Sequence, residues 1–203
     1  SRRGEMRPSA AYDTQGRLWI AYEDTNELWG KDWGYVEKYG EKLYNERNVI
    51  VRVWNAGSLM EPAEQPQWKL ASFPPQRQPL VPVTARLAAP RLAADSDGRV
   101  WLAARRGEGG SRPAIGTVWT ERLAFYDGAK WSDGIFCPLT DGLLDNQPAL
   151  LAAPQGGMAM IAASDRRYEI ANEIPIGVAR EIAKEMGSEP PLPAAGGARA
   201  DSL

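Results

Sequence analysis

The chain of 203 residues contains no histidine. Histidine is the commonest general base near neutral pH and the commonest zinc ligand. Its absence excludes Ser-His-Asp and Cys-His nucleophilic arrangements and every histidine-bearing zinc site. Cysteine occurs once, at Cys137. A single thiol excludes an intrachain disulfide and a thiolate cluster, and its setting, Ile135-Phe136-Cys137-Pro138, predicts a buried strand residue. No apolar run approaches the ~20 residues that cross a bilayer as a helix, so no membrane insertion of that kind is expected. Neither charge dominates: 24 Lys and Arg against 26 Asp and Glu leave a net charge of −2. That balance implies no nucleic-acid or anionic-membrane partner. The opening residues, Ser1-Arg2-Arg3-Gly4-Glu5, lack the pattern of a signal peptide and lack an initiator Met, which predicts a fragment or a processed piece.

What is abundant points elsewhere. Trp occurs 8 times against 3 Phe, with 20 Gly and 16 Pro, a profile that suits an all-β chain with many turns. The length suits one domain with a sizeable core. A short phrase is written three times. Arg7-Pro8-Ser9-Ala10-Ala11-Tyr12-Asp13-Thr14-Gln15-Gly16-Arg17-Leu18-Trp19-Ile20-Ala21 is the first copy, and Pro90 to Ala103, with Asp95-Ser96-Asp97-Gly98-Arg99-Val100-Trp101, is the second. Pro148 to Ile161 is a worn third copy with the same Pro-to-Gly distance but neither the Asp nor the Trp. Each copy predicts a hairpin whose Asp accepts backbone N–H bonds and whose Gly takes the positive φ of the turn. Behind the turn, Leu18 and Ile20 alternate with Trp19 and Ala21, and Val100 and Leu102 with Trp101 and Ala103. Both faces are apolar, so both require cover. Radially stacked sheets supply it.

A second strand pair follows each hairpin. Val49–Trp54 with Asn55-Ala56-Gly57 and then Gln67–Phe73 complete the first unit; Glu121–Tyr126, Asp127-Gly128, Lys130-Trp131 and Ile135–Cys137 complete the second. The expected fold is therefore a β-propeller-like stack of four-stranded antiparallel blades, incomplete at about two and a half blades. Insertions at 24–48, 74–89 and 106–120 separate the parts, and Tyr35, Tyr39 and Leu43 suggest a short helix inside the first. Val178, Ile182 and Met186, with Gly187 behind them, predict a short C-terminal helix. Residues 188–203, rich in Pro, Ala and Gly, predict a disordered tail. The domain reading is 1–174 propeller-like, 175–187 helix or extension, 188–203 tail.

The strings Asp95–Trp101 and Asp13–Trp19 resemble the repeat of bacterial sensor-type propellers, the periplasmic propellers of two-component regulators. The overall style is also similar to exported bacterial propellers that precede a hydrolase domain. Those resemblances imply a periplasmic or secreted location and an accessory role. The sialidase Asp-box is similar in appearance, but its Asp stands two residues before the Gly, whereas Asp13 and Asp95 stand three before Gly16 and Gly98.

Such a topology sends the hairpin turns to one rim and the loops after the second strand to the other. Three groups are expected to converge on that second rim: Glu23, Asp24, Trp29, Lys31, Asp32, Trp33 and Tyr35; Arg105, Arg106, Arg112 and Trp119; and Asp141, Asp145, Asn146, Asp165, Arg166 and Arg167. One reading makes Trp29, Asp32, Trp33, Arg105, Arg106, Arg112, Trp119, Asp145, Asn146 and Arg166 a binding surface for a carbohydrate, a peptide or a small anion. The other has the Trp residues pin long insertions to the sheet while the charges are solvated. No cofactor or metal is expected: the rim carboxylates offer oxygen ligands for calcium but lack a loop spacing that specifies a site. The preferred function is a non-catalytic binding, sensing or accessory module, with the remaining blades or an adjacent domain of a longer parent chain as partners. The alternative is a fragment of a propeller hydrolase of glycosidase type, using paired rim carboxylates. A third reading is a structural stack whose end faces meet a partner.

Overall fold

The computed structural model describes residues 3–25, 27–29, 47–60, 65–66, 86–107 and 118–166. Among these there is no helix, and every regular element is a β-strand. Sheet 1 contains β1 (Gly4–Tyr12), β2 (Leu18–Thr25), β3 (Arg47–Asn55) and β4 (Ser58–Met60), antiparallel and in that order. Sheet 2 contains β5 (Leu87–Ala94), β6 (Val100–Gly107), β7 (Trp119–Tyr126) and β8 (Ile135–Phe136), also in order. A third unit is the hairpin of β9 (Ala149–Ala152) and β10 (Met158–Ile161). The architecture is a partial propeller-like fold. The inner strand β5 lies between β1 on one side and β9 on the other.

Two hairpin turns explain the two full copies of the repeated phrase. Asp13 Oδ1 accepts the backbone N–H groups of Gln15 and Arg17, both at 2.9 Å. Its Oδ2 accepts Arg17 Nε at 2.6 Å and the indole N–H of Trp19 at 2.8 Å. Asp95 does the same with Asp97 and Arg99 backbone N–H at 3.0 and 2.9 Å, Arg99 Nε at 2.8 Å and Trp101 Nε1 at 2.8 Å. The Asp, Arg and Trp of the motif are thus one bonded unit, and Gly16 and Gly98 (φ 76° and 83°) close the turn with a backbone conformation costly to other residues. The third turn keeps only the backbone bonds between Ala153 and Gly156 or Gly157. The turns stand side by side on one rim: a Cβ at Gly98 would meet the Thr14 hydroxyl at 3.0 Å, and one at Gly156 the Asp97 carboxylate at 2.6 Å.

The core lies between the sheets. Trp19, Ala21, Val49, Val51 and Val53 of sheet 1 pack on Leu87, Leu92, Val100, Leu102, Ala104, Ala124, Tyr126 and Trp131 of sheet 2. Trp19 meets Tyr126 at a ring-centroid distance of 5.0 Å and Trp131 at 6.1 Å, edge-on to the latter. The apolar alternation read from β2 and β6 is therefore what joins the sheets.

Several expectations are corrected in detail. The fourth strand of sheet 1 is Ser58–Met60, entered directly through Ala56 and Gly57, both at positive φ, as a tight hairpin demands. Residues 67–73, expected to fill that place, lie outside the described residues. Beyond β4, Gln65 takes over at the strand edge: its Oε1 accepts Val51 N–H at 3.0 Å and its Nε2 donates to the Val51 carbonyl at 3.1 Å. Arg106 and Trp119, assigned to an insertion, are strand residues of β6 and β7, because the ladder continues to Gly107 opposite Trp119. Cys137 follows β8 and is only half-buried; burial still pushes its thiol up to about 11, with Glu121 adding to the rise. The short helix expected at 35–47 lies outside the described residues except at Arg47, which opens β3; the helix at 175–187 and the tail at 188–203 lie outside them entirely, as do Lys31, Asp32, Trp33, Arg112 and Arg167.

Candidate functional site

The rim opposite the turns is where the sequence placed its candidates, and the structure gathers several of them there. Its organising feature is a bulge in each inner strand. The β1–β2 register shifts between Met6 and Ser9, and the β5–β6 register shifts between Ala88 and Arg91. At the shift, Arg7 and Ala89 take φ of 49° and 50°. Both precede a proline, which disfavours the ordinary helical alternative, and both sit in a sparsely populated region held by surrounding bonds.

Glu23 on β2 supplies the bonds for the second bulge. Its carboxylate is fully buried. Oε1 accepts the Ala89 backbone N–H at 2.7 Å and Arg7 Nη1 at 3.1 Å, while Oε2 accepts Arg47 Nη2. Arg47 in turn stands over two indole rings, Trp29 at 5.2 Å and Trp119 at 5.9 Å. One carboxylate of sheet 1 thereby holds the strained backbone of sheet 2, with a guanidinium packed between Trp residues beside it.

Sheet 2 answers with the opposite charge at the corresponding place. Glu23 pairs across the sheet with Met6 and Val49; Arg105 pairs with Ala88 and Glu121. Arg105 is fully buried and donates to Glu121 Oε1 at 2.6 Å, to the Trp119 carbonyl at 2.8 Å, to the Thr140 carbonyl at 3.5 Å and to the Asn146 carbonyl. Asn146 lies just ahead of β9. Glu23 therefore reaches forward to an N–H of the next unit, and Arg105 reaches forward to a C=O of the next unit. Arg7 adds a contact of 3.9 Å to the exposed Asp145 carboxylate. Asp141 and Asp165 meet through a backbone bond of 3.1 Å, with the Ser164 hydroxyl donating to the Asp141 carbonyl at 2.9 Å.

The predicted site residues sort by depth. Arg105, Arg106 and Trp119 are buried, Trp29 is half-buried against Arg47, and Asp145 and Arg166 are exposed, with Asn146 between. The structure brings Glu23 near Asp145 through Arg7, and Arg105 to Asn146. It does not present the Arg105–Arg106 pair at a surface, because its first member is spent on Glu121 and three carbonyls. Sequence reasoning missed Arg7, Arg47 and Glu121. The two X-Pro steps, Arg7-Pro8 and Ala89-Pro90, were the available signal for the bulges. Among the described residues, no three or more of Asp, Glu and Cys stand together in a way that would hold a metal ion.

The electrostatics have two signs. Burial by itself would raise the Asp13 and Asp95 carboxyls, but the bonds from Trp and Arg outweigh it and hold both below the ordinary value. Burial dominates at Glu121 and pushes it up to about 7 against the pull of Arg105. The Asp pair therefore stabilises the fold above the ordinary carboxylate range near ~3.9, and that contribution is lost as pH falls through the lower folded values. Glu121 acts oppositely. As pH rises past about 4.3 the unfolded chain ionises first, so stability falls from there toward pH 7 and is level beyond. Unfolding free energy measured across pH should peak near ~4–5. E121Q should remove the decline toward neutrality, and D13N with D95N should soften the acid limb; a wild-type profile flat from pH 5 to 7 would contradict the Glu121 assignment.

No family model matches the chain, and no curated protein matches it. Among solved structures, 15 chains match. One is "Hadza microbial sialidase Hz136", 13% identical with a TM-score of 0.43, the match covering 81% of this chain and 32% of that one. The chain thus spans about a third of that protein's length. A likeness this slight carries no argument about activity.

Proposed function

We propose that the chain is a non-catalytic propeller module, a scaffold or accessory segment whose buried rim charges join its sheets. The observation that carries this reading is the paired arrangement at the joints: Glu23 on the Ala89 N–H and Arg105 on the Asn146 carbonyl. Asp13 and Asp95 are likewise occupied by their own Trp and Arg. A carboxylate buried under guanidinium and backbone donors organises structure and does not meet a substrate. Among the described residues, Asp145, Asn146 and Arg166 are the rim candidates that solvent reaches, and a carbohydrate, a peptide or a small anion would meet them there.

A hydrolase reading draws on one feature, the Glu121 carboxyl near pH 7, a value suited to a general acid. Its Oε1 is committed to Arg105, and the side chain is fully buried. The two readings separate in one experiment. Purified protein is assayed on aryl glycosides and sialosides, and the thermal midpoints of E23Q and E121Q are measured. No turnover, with E23Q melting lower by several degrees, is expected; turnover abolished by E121Q at an unchanged melting temperature would establish the hydrolase instead.

A further inference from the structure

We propose that the Asp133-Gly134 step is a modification site, at which the folded chain converts to isoaspartate. The sequence contains four Asp-Gly steps: Asp97-Gly98, Asp127-Gly128, Asp133-Gly134 and Asp141-Gly142. At such a step the following main-chain nitrogen reaches the aspartyl carboxyl most readily, because glycine carries no side chain to obstruct the approach. The four are chemically alike, so the folded surroundings decide among them. Three are held. Asp141 is buried, and the Gly142 N–H donates to the Trp119 carbonyl at 3.0 Å. The Gly98 N–H donates to the Asp95 carbonyl at 3.2 Å, and the Asp97 carboxylate is paired with Arg99 Nη2. Asp127 Oδ1 accepts the backbone N–H groups of Lys130 and Ala129, both at 2.9 Å. Those bonds fix the carboxyl in place and hold it below its ordinary value, in the ionised form that a nucleophile attacks poorly.

Asp133-Gly134 combines an exposed aspartate with a main-chain nitrogen that the fold does not use. The step lies in a stretch without regular structure, between Ser132, whose N–H donates to the Phe125 carbonyl at 2.7 Å, and β8. The Cys137 N–H points into sheet 2, to the Glu121 carbonyl at 3.1 Å. Alternate residues of an extended chain share that direction, so Gly134, three positions earlier, turns its N–H to the open edge. Among the described residues that N–H donates to no acceptor. The chemistry balances within the chain and water. The Gly134 nitrogen attacks Asp133 Cγ; a Cγ–N bond forms, and the carboxyl OH leaves with the nitrogen's proton as water, closing a succinimide. Water then adds to the former main-chain carbonyl of Asp133, and its bond to the Gly134 nitrogen breaks. That carbonyl becomes the free carboxylate, and the main chain now runs through Cβ and Cγ. Mass is unchanged, and one more carbon lies in the main chain just ahead of β8, whose Ile135 and Phe136 pair with Leu123 and Arg122.

The purified chain is kept for several weeks in neutral buffer, folded and in parallel in guanidinium chloride. Peptides are mapped by electron-transfer fragmentation, which distinguishes isoaspartate from aspartate. Total isoaspartate is measured by methyl transfer from S-adenosylmethionine, with an isoaspartyl methyltransferase as the probe. In the folded sample isoaspartate should appear at 133, preceded by a succinimide one water lighter, while 97, 127 and 141 stay aspartyl. In guanidinium chloride all four steps should convert. Asp133→Glu, whose longer side chain must close a larger ring, should remove the methyl acceptor from the folded sample with circular dichroism unchanged. Conversion at 97, 127 or 141 as fast as at 133 overturns the proposal. So does a folded chain that stays aspartyl at 133 while the unfolded chain converts there. Either failure leaves the non-catalytic reading standing, since that reading falls only with glycoside turnover.

Discussion

Replacing Arg105 with Met is expected to destabilise the protein by about 3–5 kcal/mol, the cost of removing one member of a buried ion pair. The guanidinium is fully buried and serves four acceptors at once: Glu121 and the carbonyls of Trp119, Thr140 and Asn146. Met fills the volume of the stem but satisfies none of them. Glu121 would be left buried without its cation, and its second oxygen, Oε2, already has no partner. The carboxyl would then take up a proton, so the loss should be smaller at pH 5 than at pH 8. Replacing both residues, as Arg105→Met with Glu121→Leu, should recover much of the loss, since an apolar pair of similar volume carries no desolvation penalty. Urea unfolding of the two single variants and the double variant measures each term. A single-variant cost below about 1 kcal/mol would place the pair in the class of surface ion pairs and remove its role as a joint.

Trp19→Ala should be nearly as damaging, at about 3–5 kcal/mol. The indole fills the space between the sheets, meets Tyr126 at a tilt and Trp131 edge-on, and donates to Asp13. Its loss leaves a cavity, two ring contacts unmade and a buried carboxylate short of a donor. Trp101→Ala removes the same bond to Asp95 but from a half-buried position, where the ring packs on Phe125 within its own sheet. Its cost should be clearly smaller. Equal costs for the two variants would mean that the energy resides in the hairpin and not between the sheets. Thermal unfolding of both variants beside wild type decides this.

The hairpins were legible because their signals are local. Asp, Gly, Arg and Trp stand within seven residues of one another, and the bonds they make are confined to that stretch. The alternation behind them announced two apolar faces, and both are present. The rim was legible in place but not in role. Glu23, Arg105, Asp145 and Asn146 were named there from topology, yet Arg105 reads in the sequence as one of a solvated pair. Its burial depends on Glu121, sixteen positions on, and on the carbonyl of Asn146, forty-one positions on. Arg7 and Arg47 escaped notice for the same reason: a charged residue within a strand carries no mark of what lies opposite. The short fourth strand was missed because Ala56 does not advertise a positive φ, while the longer apolar run at 67–73 looked the better candidate.

By itself the sequence determined the hairpins, the turn chemistry and the exclusion of histidine-based chemistry and of an intrachain disulfide, since propensity, alternation and capping act over a few residues. Only the tertiary structure decided which charges are buried, which bulge each one holds, and that Trp19 is covered while Tyr12, Trp54 and Ile161 are not. Those outcomes depend on surfaces brought together from distant parts of the chain, where desolvation and packing, and not local preference, set the energy.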